Sequence, residues 1–124
     1  ESLRGTRVGA AIEAHWRTGG ALAGCSAGAM VMARHVPSFR LHIGAATEGL
    51  ALTPEIQVLP HFNRIFQLAF KGSSGDGVLL GIEDLTALVK ASGGDHWRVE
   101  GQGAVHILSG LPKRLLRSGE EIQL

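Results

Sequence analysis

The run Gly24-Cys25-Ser26-Ala27-Gly28 sets a serine hydroxyl between two glycines, one two residues before it and one two residues after. A short apolar run over 21–23 stops at Gly24, and a second apolar segment over 29–33 follows Gly28. Strand, tight turn and helix in that order form a nucleophile elbow. A nucleophile on such a turn sits in strained backbone, and its neighbours need almost no side chain. Gly24 and Gly28 supply that room. The start of the following helix directs amide N–H groups to the place where an oxyanion would form, and the Ala27 N–H is the natural first donor. Cys25 is the rival nucleophile, but centring the turn on it puts Ala23 and Ala27 at the flanks. The spacing therefore favours Ser26 and leaves Cys25 as a small buried residue at a strand end. A small-residue turn between a strand and a helix is also common without any chemistry, so Ser26 needs partners.

A serine hydroxyl is a weak nucleophile at neutral pH. It requires a base within hydrogen-bond reach, and the base requires a third group to hold its tautomer. The six histidines are His15, His35, His42, His61, His96 and His106. His61 directly follows the apolar run 56–59 in a Pro60-His61-Phe62 turn, and α/β sheets carry functional side chains at the carboxyl ends of their strands. His15 reads as part of a helix face, and His96 and His106 as solvated or packed positions in a β-rich tail. Glu83 and Asp84 follow another apolar run, 78–82, and offer the missing carboxylate. An acidic pair in that place is otherwise a solvated turn.

The elements that must position these groups can be read in chain order. Residues 3–16 have Val8, Ala11, Ile12 and His15 at helical spacing with Arg7, Glu13 and Arg17 outward, and Thr18-Gly19-Gly20 ends the helix. The strand, the elbow and a second helix follow, the helix fading before Pro37. Phe39, Leu41 and Ile43 alternate as a strand or extended loop, and Thr53-Pro54 is a turn. Residues 56–59 form a buried strand, 65–70 a helical turn, and 71–77 a flexible loop by composition. Strands are expected at 78–82, 86–89, 97–100 and 104–108, with a hairpin edge over 117–124. Apolar strands interleaved with helices, plus a β-rich tail, predict an α/β layered fold with a mostly parallel sheet in one domain, 1–124.

The 124 residues suffice for one modest core, and 44% hydrophobic and 19% charged residues argue against disorder. A net charge of +1, a pI near 8.3, and no basic stripe interleaved with aromatics argue against nucleic acid as a partner. No apolar run approaches a membrane span and no signal peptide is visible. One cysteine excludes an intrachain disulfide and fits a reducing, cytoplasmic compartment. The chain opens on Glu1 in the lead-in to a helix, as a piece of something longer would.

Four stretches, in order, carry a family resemblance. Gly24-Cys25-Ser26-Ala27-Gly28-Ala29, with Met32 after it, resembles the Gly-x-Ser-Ala-Gly-Ala signature of the peptidase E and cyanophycinase group of serine peptidases. Pro60-His61-Phe62 resembles that group's catalytic-histidine turn. Gly81-Ile82-Glu83-Asp84-Leu85-Thr86-Ala87-Leu88 resembles its Gly-Ile-Asp-Glu-x-Thr-Ala-Leu strand end, and Ser118-Gly119-Glu120-Glu121 with Leu124 its C-terminal strand pair. The resemblance implies a class I glutamine-amidotransferase-like, three-layer α/β/α fold and cleavage of short peptides without metal or organic cofactor. It implies Ser26 as nucleophile, His61 as general base and acid, and Asp84 as triad acid by alignment. The two acids stand in swapped order, so Glu83 stays a candidate beside Asp84. The order serine, histidine, acid is that of peptidase E.

The resemblance covers the later half of the family's domain. It implies a partner that covers sheet edges and apolar faces: a second copy, or a second chain supplying the earlier half. Leu59-Pro60 before His61 and a single Arg64 after it depart from the cyanophycinases, so the implied substrate is a short peptide. Arg40 and Arg64 could bind its carboxylate or be plain surface charge. Two other readings remain. The chain could be a non-catalytic scaffold or binding module, which the distance between the Ser26 hydroxyl and the His61 ring would discriminate. It could also be an α/β-hydrolase-type esterase, with His96 or His106 as base and Glu83 or Asp84 before it.

Overall fold

The computed structural model describes residues 3–37, 47–63, 65 and 76–124. In chain order the elements are α1 (Arg7–Arg17), α2 (Ala27–Met32), β1 (His35–Val36), β2 (Thr47–Glu48), β3 (Ile56–Leu59), β4 (Val78–Ile82), β5 (Thr86–Lys90), β6 (His96–Gly101), β7 (Ala104–Ser109), β8 (Arg114–Arg117) and β9 (Glu121–Gln123). The expected strand over Phe39, Leu41 and Ile43, all of the expected helical turn 65–70 but its first residue, and most of the 71–77 loop lie outside the described residues, as do Arg40 and Arg64.

α1 starts later than its apolar spacing predicts because Thr6 caps it. The Thr6 side chain accepts from the Gly9 N–H at 3.0 Å and donates to the Leu3 carbonyl at 2.7 Å, which fixes the entry. At the other end the Thr18 and Gly20 N–H groups close on the Ala14 and His15 carbonyls, with Gly19 at φ +86° between them.

The sheets differ from the expected mostly parallel one. Strands run β3-β4-β7-β8 in one sheet and β5-β6-β9 in another, with β1 and β2 forming a separate pair. Among the described residues only β3 and β4 are parallel, in the register Ile56↔Val78 to Leu59↔Gly81. The other pairs are antiparallel. The reason is connection length: a parallel pair needs a crossover of a dozen or more residues. From β4 onward the connections are too short for such a crossover, so they either reverse the chain within a sheet or carry it to the other sheet.

Two further expectations change. Residues 21–23, read as a strand, form no ladder among the described residues. The last two strands are not a hairpin, because β8 pairs with β7 and β9 with β6. The turn between them carries the chain from one sheet to the other. It is held by the Gly119 N–H on the Val99 carbonyl and by the Arg117 N–H on the Glu120 carboxylate.

The core lies between the two larger sheets. Ile56, Val58, Leu80, Val105, Ile107 and Leu116 from one meet Trp97, Val99 and Ile122 from the other. Period-two alternation sends Leu59 and Leu79 to the opposite face, where they pack with Phe62. Both faces of β3 are thus covered, which is why all four of its residues are buried. At the start of the chain α1 buries only Gly9. Its residues Arg7, Val8, Ala11, Ile12 and His15 line an open groove of about 550 Å³ with Leu22.

Candidate active site

Three loops converge at the carboxyl ends of β3 and β4. The first is the elbow. Ser26 stands at φ +52°, ψ −121°, a backbone conformation that costs an L-residue energy and is retained where the surroundings enforce it. Gly24 is one such surrounding. A Cβ there would lie 2.6 Å from the Gly28 carbonyl oxygen and 2.7 Å from the Met32 sulfur. Gly28 plays no matching part: a Cβ on it meets open space among the described residues. Cys25 is exposed rather than buried, because the 20–25 segment is not covered by a neighbouring strand. The Ser26 side chain does not cap α2, so its hydroxyl is free to bond elsewhere. The Ala27 N–H has no protein acceptor among the described residues.

The second loop follows β3. His61 is also left-handed, at φ +54°. Its ring is anchored indirectly through Phe62, whose N–H donates to the Ile82 carbonyl at 2.9 Å and whose ring is buried. Phe62 lies flat on Gly81, where any Cβ would come within 2.4 Å of the ring. Glycine at the penultimate position of β4 is therefore what lets the histidine loop settle on the sheet.

The third loop, between β4 and β5, is tied to the β6–β7 turn by four bonds. The Glu83 N–H donates to the Ala104 carbonyl (3.1 Å), the Ala104 N–H to Glu83 Oε2 (2.9 Å), the Gly103 N–H to Thr86 Oγ1 (2.9 Å) and the Gln102 N–H to the Leu85 carbonyl (2.9 Å). Thr86 Oγ1 also donates to the Asp84 carbonyl at 3.1 Å. Leu85, beside the acid, is left-handed at φ +55°. Each of the three loops thus has one non-glycine residue in the left-handed region.

These loops bring together Ser26, His61 and Asp84. His61 Nδ1 lies 2.6 Å from Asp84 Oδ1, and His61 Nε2 lies 3.1 Å from Ser26 Oγ. A carboxylate only accepts, so Nδ1 carries the proton and Nε2 is left to accept from the serine hydroxyl. The site is open: the His61 side chain is 56% exposed and that of Asp84 73%. Glu83 is not part of this line. It turns away to His106, with Oε1 2.7 Å from His106 Nε2. That bond, helped by the Ala104 N–H and by the charges of His106 and Arg117, holds the Glu83 carboxyl below its ordinary range against the opposing effect of burial.

The sequence reading missed the Glu83–His106 pair. Its signal was present: His106 is the polar residue between Val105 and Ile107, on the face of β7 away from the core, and its register partner is Gly81. Among the described residues, two other histidines bond elsewhere than to Ser26. His15 Nε2 bonds the Ala21 carbonyl at 3.2 Å, and His96 pairs with Asp95 at 2.7 Å. Among the described residues no group of three or more His, Cys, Asp or Glu is placed to hold a metal ion. No described helix is long and apolar enough to cross a membrane.

Comparison with known proteins decides the family. The sequence profile of peptidase family S51 matches residues 1–94, which include all three converging loops. The chain belongs to peptidase family S51. Among solved structures it is similar to a peptidase from an acI-B1 Actinobacterium, at 45% identity and a TM-score of 0.85. That match covers 97% of this chain and 52% of the other, so this S51 chain spans about half the length of its solved relative. No curated protein matches it.

Proposed function

We propose that the protein is a serine peptidase cleaving short peptides, with Ser26 as nucleophile, His61 as general base and acid, and Asp84 as the group that orients His61. The observation that carries this reading is the unbroken line from Ser26 Oγ through both nitrogens of His61 to Asp84, at 3.1 and 2.6 Å. Membership of a peptidase family supports the bond class.

Ser26 Oγ attacks the scissile carbonyl while His61 Nε2 takes its proton. The imidazolium is stabilised by Asp84, and the oxyanion of the tetrahedral adduct accepts from the Ala27 N–H. Collapse expels the amine, which takes the proton from Nε2 and leaves an acyl-serine. Water then attacks the ester, giving its proton to His61, and the carboxylic product departs as the proton returns to Ser26. Nothing in this sequence requires a metal or an organic cofactor.

The distance between Ser26 and His61 favours this reading over a scaffold that has lost its chemistry, since a general base must lie within hydrogen-bond reach. It also favours it over an esterase based on His96 or His106, neither of which is the ring that meets Ser26. The amidotransferase-like three-layer fold belongs to the assembled protein. In it, the part of the family's length outside these residues, or a second copy, covers the apolar face of α1 and the unpaired approach to the elbow. Val8 on that face is 60% exposed in this chain. The lone Cys25 fits a cytoplasmic setting.

The test is hydrolysis of a panel of di- and tripeptides by the intact protein and by its Ser26→Ala and His61→Ala variants. Ser26-dependent release of free amine supports the proposal. Turnover of peptides that survives Ser26→Ala contradicts it.

A further inference from the structure

Of two adjacent carboxylates after β4, only that of Asp84 meets the His61 imidazole. Glu83 has the longer side chain, yet both its oxygens are engaged elsewhere: Oε1 with His106 Nε2 and Oε2 with the Ala104 N–H. His106 does more than hold Glu83. Its ring lies against Phe62, centroids 4.8 Å apart and planes tilted by 51°. Phe62 directly follows His61 and is seated on Gly81. One half-buried ring therefore touches the loop that carries the base and the carboxylate beside the acid. Packing against Phe62 needs only an apolar ring, and a Phe or Leu in β7 would provide it. The polar ring is accounted for by its bond to Glu83. His106 also lies beyond residues 1–94, the part matched by the family profile.

We propose that His106 is a positioning residue, which draws Glu83 away from His61 so that Asp84 alone orients the base, while its ring holds Phe62 and the histidine loop in register. This inference rests on the reading of Ser26, His61 and Asp84 as a triad. The lowered protonation range of Glu83 agrees with a carboxylate kept charged on its histidine. Without His106, Glu83 is free to compete for His61 Nδ1, and the base is shared between two geometries.

The test separates the bond from the stacking. His106→Phe keeps a ring against Phe62 and removes the donor, whereas His106→Gln restores a donor without the ring. His106→Phe is expected to lower kcat by about tenfold with KM nearly unchanged, since a small misplacement of a catalytic group costs rate rather than binding. His106→Gln is expected to recover part of the loss. Asp84→Ala should cost the parent far more than it costs the His106→Phe background, where Glu83 can take over, and adding Glu83→Gln should abolish that relief.

The proton on His61 Nδ1 gives a readout independent of turnover. Its downfield NMR signal should be present in the parent, absent in Asp84→Ala, and present again in Asp84→Ala with His106→Phe. If that pattern appears without peptide hydrolysis, the positioning role stands and the peptidase reading falls. If hydrolysis is Ser26-dependent while kcat and the signal ignore His106, the positioning role is overturned and the peptidase reading stands. Should His106→Phe fail to fold, His106→Leu takes its place: a kcat drop at constant KM that Glu83→Gln relieves supports the role, and parent-like kcat overturns it.

Discussion

The candidate site straddles two regions built in different ways. On one side, from Ile56 onward, two sheets close on a single core, and His61 and Asp84 stand on loops fastened to it. On the other, between Leu3 and Val36, the only buried residues are Gly9 and Ala33, and Ser26 stands on a turn whose approach is unpaired. The elbow is nonetheless anchored. The N–H groups of Leu50, Ala51, Leu52 and Thr53 bond to the Val31, Ala33 and Met32 carbonyls at the end of α2, and Ala29 packs on the core. His61 is thus located by the burial of Phe62, Asp84 by bonds to the β6–β7 turn of the packed sheets, and Ser26 mainly by backbone hydrogen bonds at the end of α2. Such bonds fix position while contributing only about 1 kcal/mol each to stability.

If that contrast is right, substitutions on the two sides should differ in kind. The largest effect is expected at the nucleophile: Ser26→Ala should lower kcat by roughly 10⁴-fold or more while leaving the melting temperature near the parent's. Leu80, fully buried between the sheets, should behave in the opposite sense. Leu80→Ala is expected to cost about 2–5 kcal/mol in a urea titration. Gly81→Ala joins the two properties, because its Cβ meets the Phe62 ring at 2.4 Å. About 1–3 kcal/mol of stability should be lost and kcat should fall with it, as Phe62 and then His61 are displaced. Leu80→Ala with no measurable loss would remove the dense side of the contrast.

Two smaller effects sharpen it. Val8→Ser should change the stability of this chain alone by no more than about 0.5 kcal/mol, since Val8 is largely exposed. A larger loss in the intact protein would locate the surface that covers α1. Acid should act on the dense side through Glu83, whose carboxyl is held below its ordinary value of 4.5 chiefly by its bond to His106. A lowered folded-state value means that the unfolded chain binds the proton first. The stabilisation is therefore complete above pH 4.5 and is lost as pH falls through the lower folded value. Urea titrations across that range should show the parent losing more than Glu83→Gln, and parallel losses would detach Glu83 from the acid response.

Much of this division could be read from the amino-acid pattern, because the pattern records local chemistry. The apolar runs at 56–59 and 78–82 match β3 and β4, and the residues after them lie at the site. The tight Gly24 to Ser26 turn was also legible, since only a residue without Cβ fits against the Gly28 carbonyl. What escaped depends on pairing across the chain. A run such as 78–82 is apolar whether its neighbour is parallel or antiparallel, and β4 in fact has one of each, so strand direction was not encoded locally. β8 and β9 are adjacent in sequence and look like a hairpin, but their apolar residues Leu116 and Ile122 enter the core from opposite sheets. Asp84, first by its place in the matched stretch, is the acid bonded to His61, but the pairing of Glu83 with His106, distant in sequence, lies beyond any spacing rule.

The central claim is that Ser26 is an activated nucleophile, and the most direct measurement is mass spectrometry of the intact protein after treatment with a fluorophosphonate. The account predicts a single adduct on Ser26, formed in the parent and lost in His61→Ala. A folded, complete protein that takes up no adduct, or takes it up equally without His61, would contradict it.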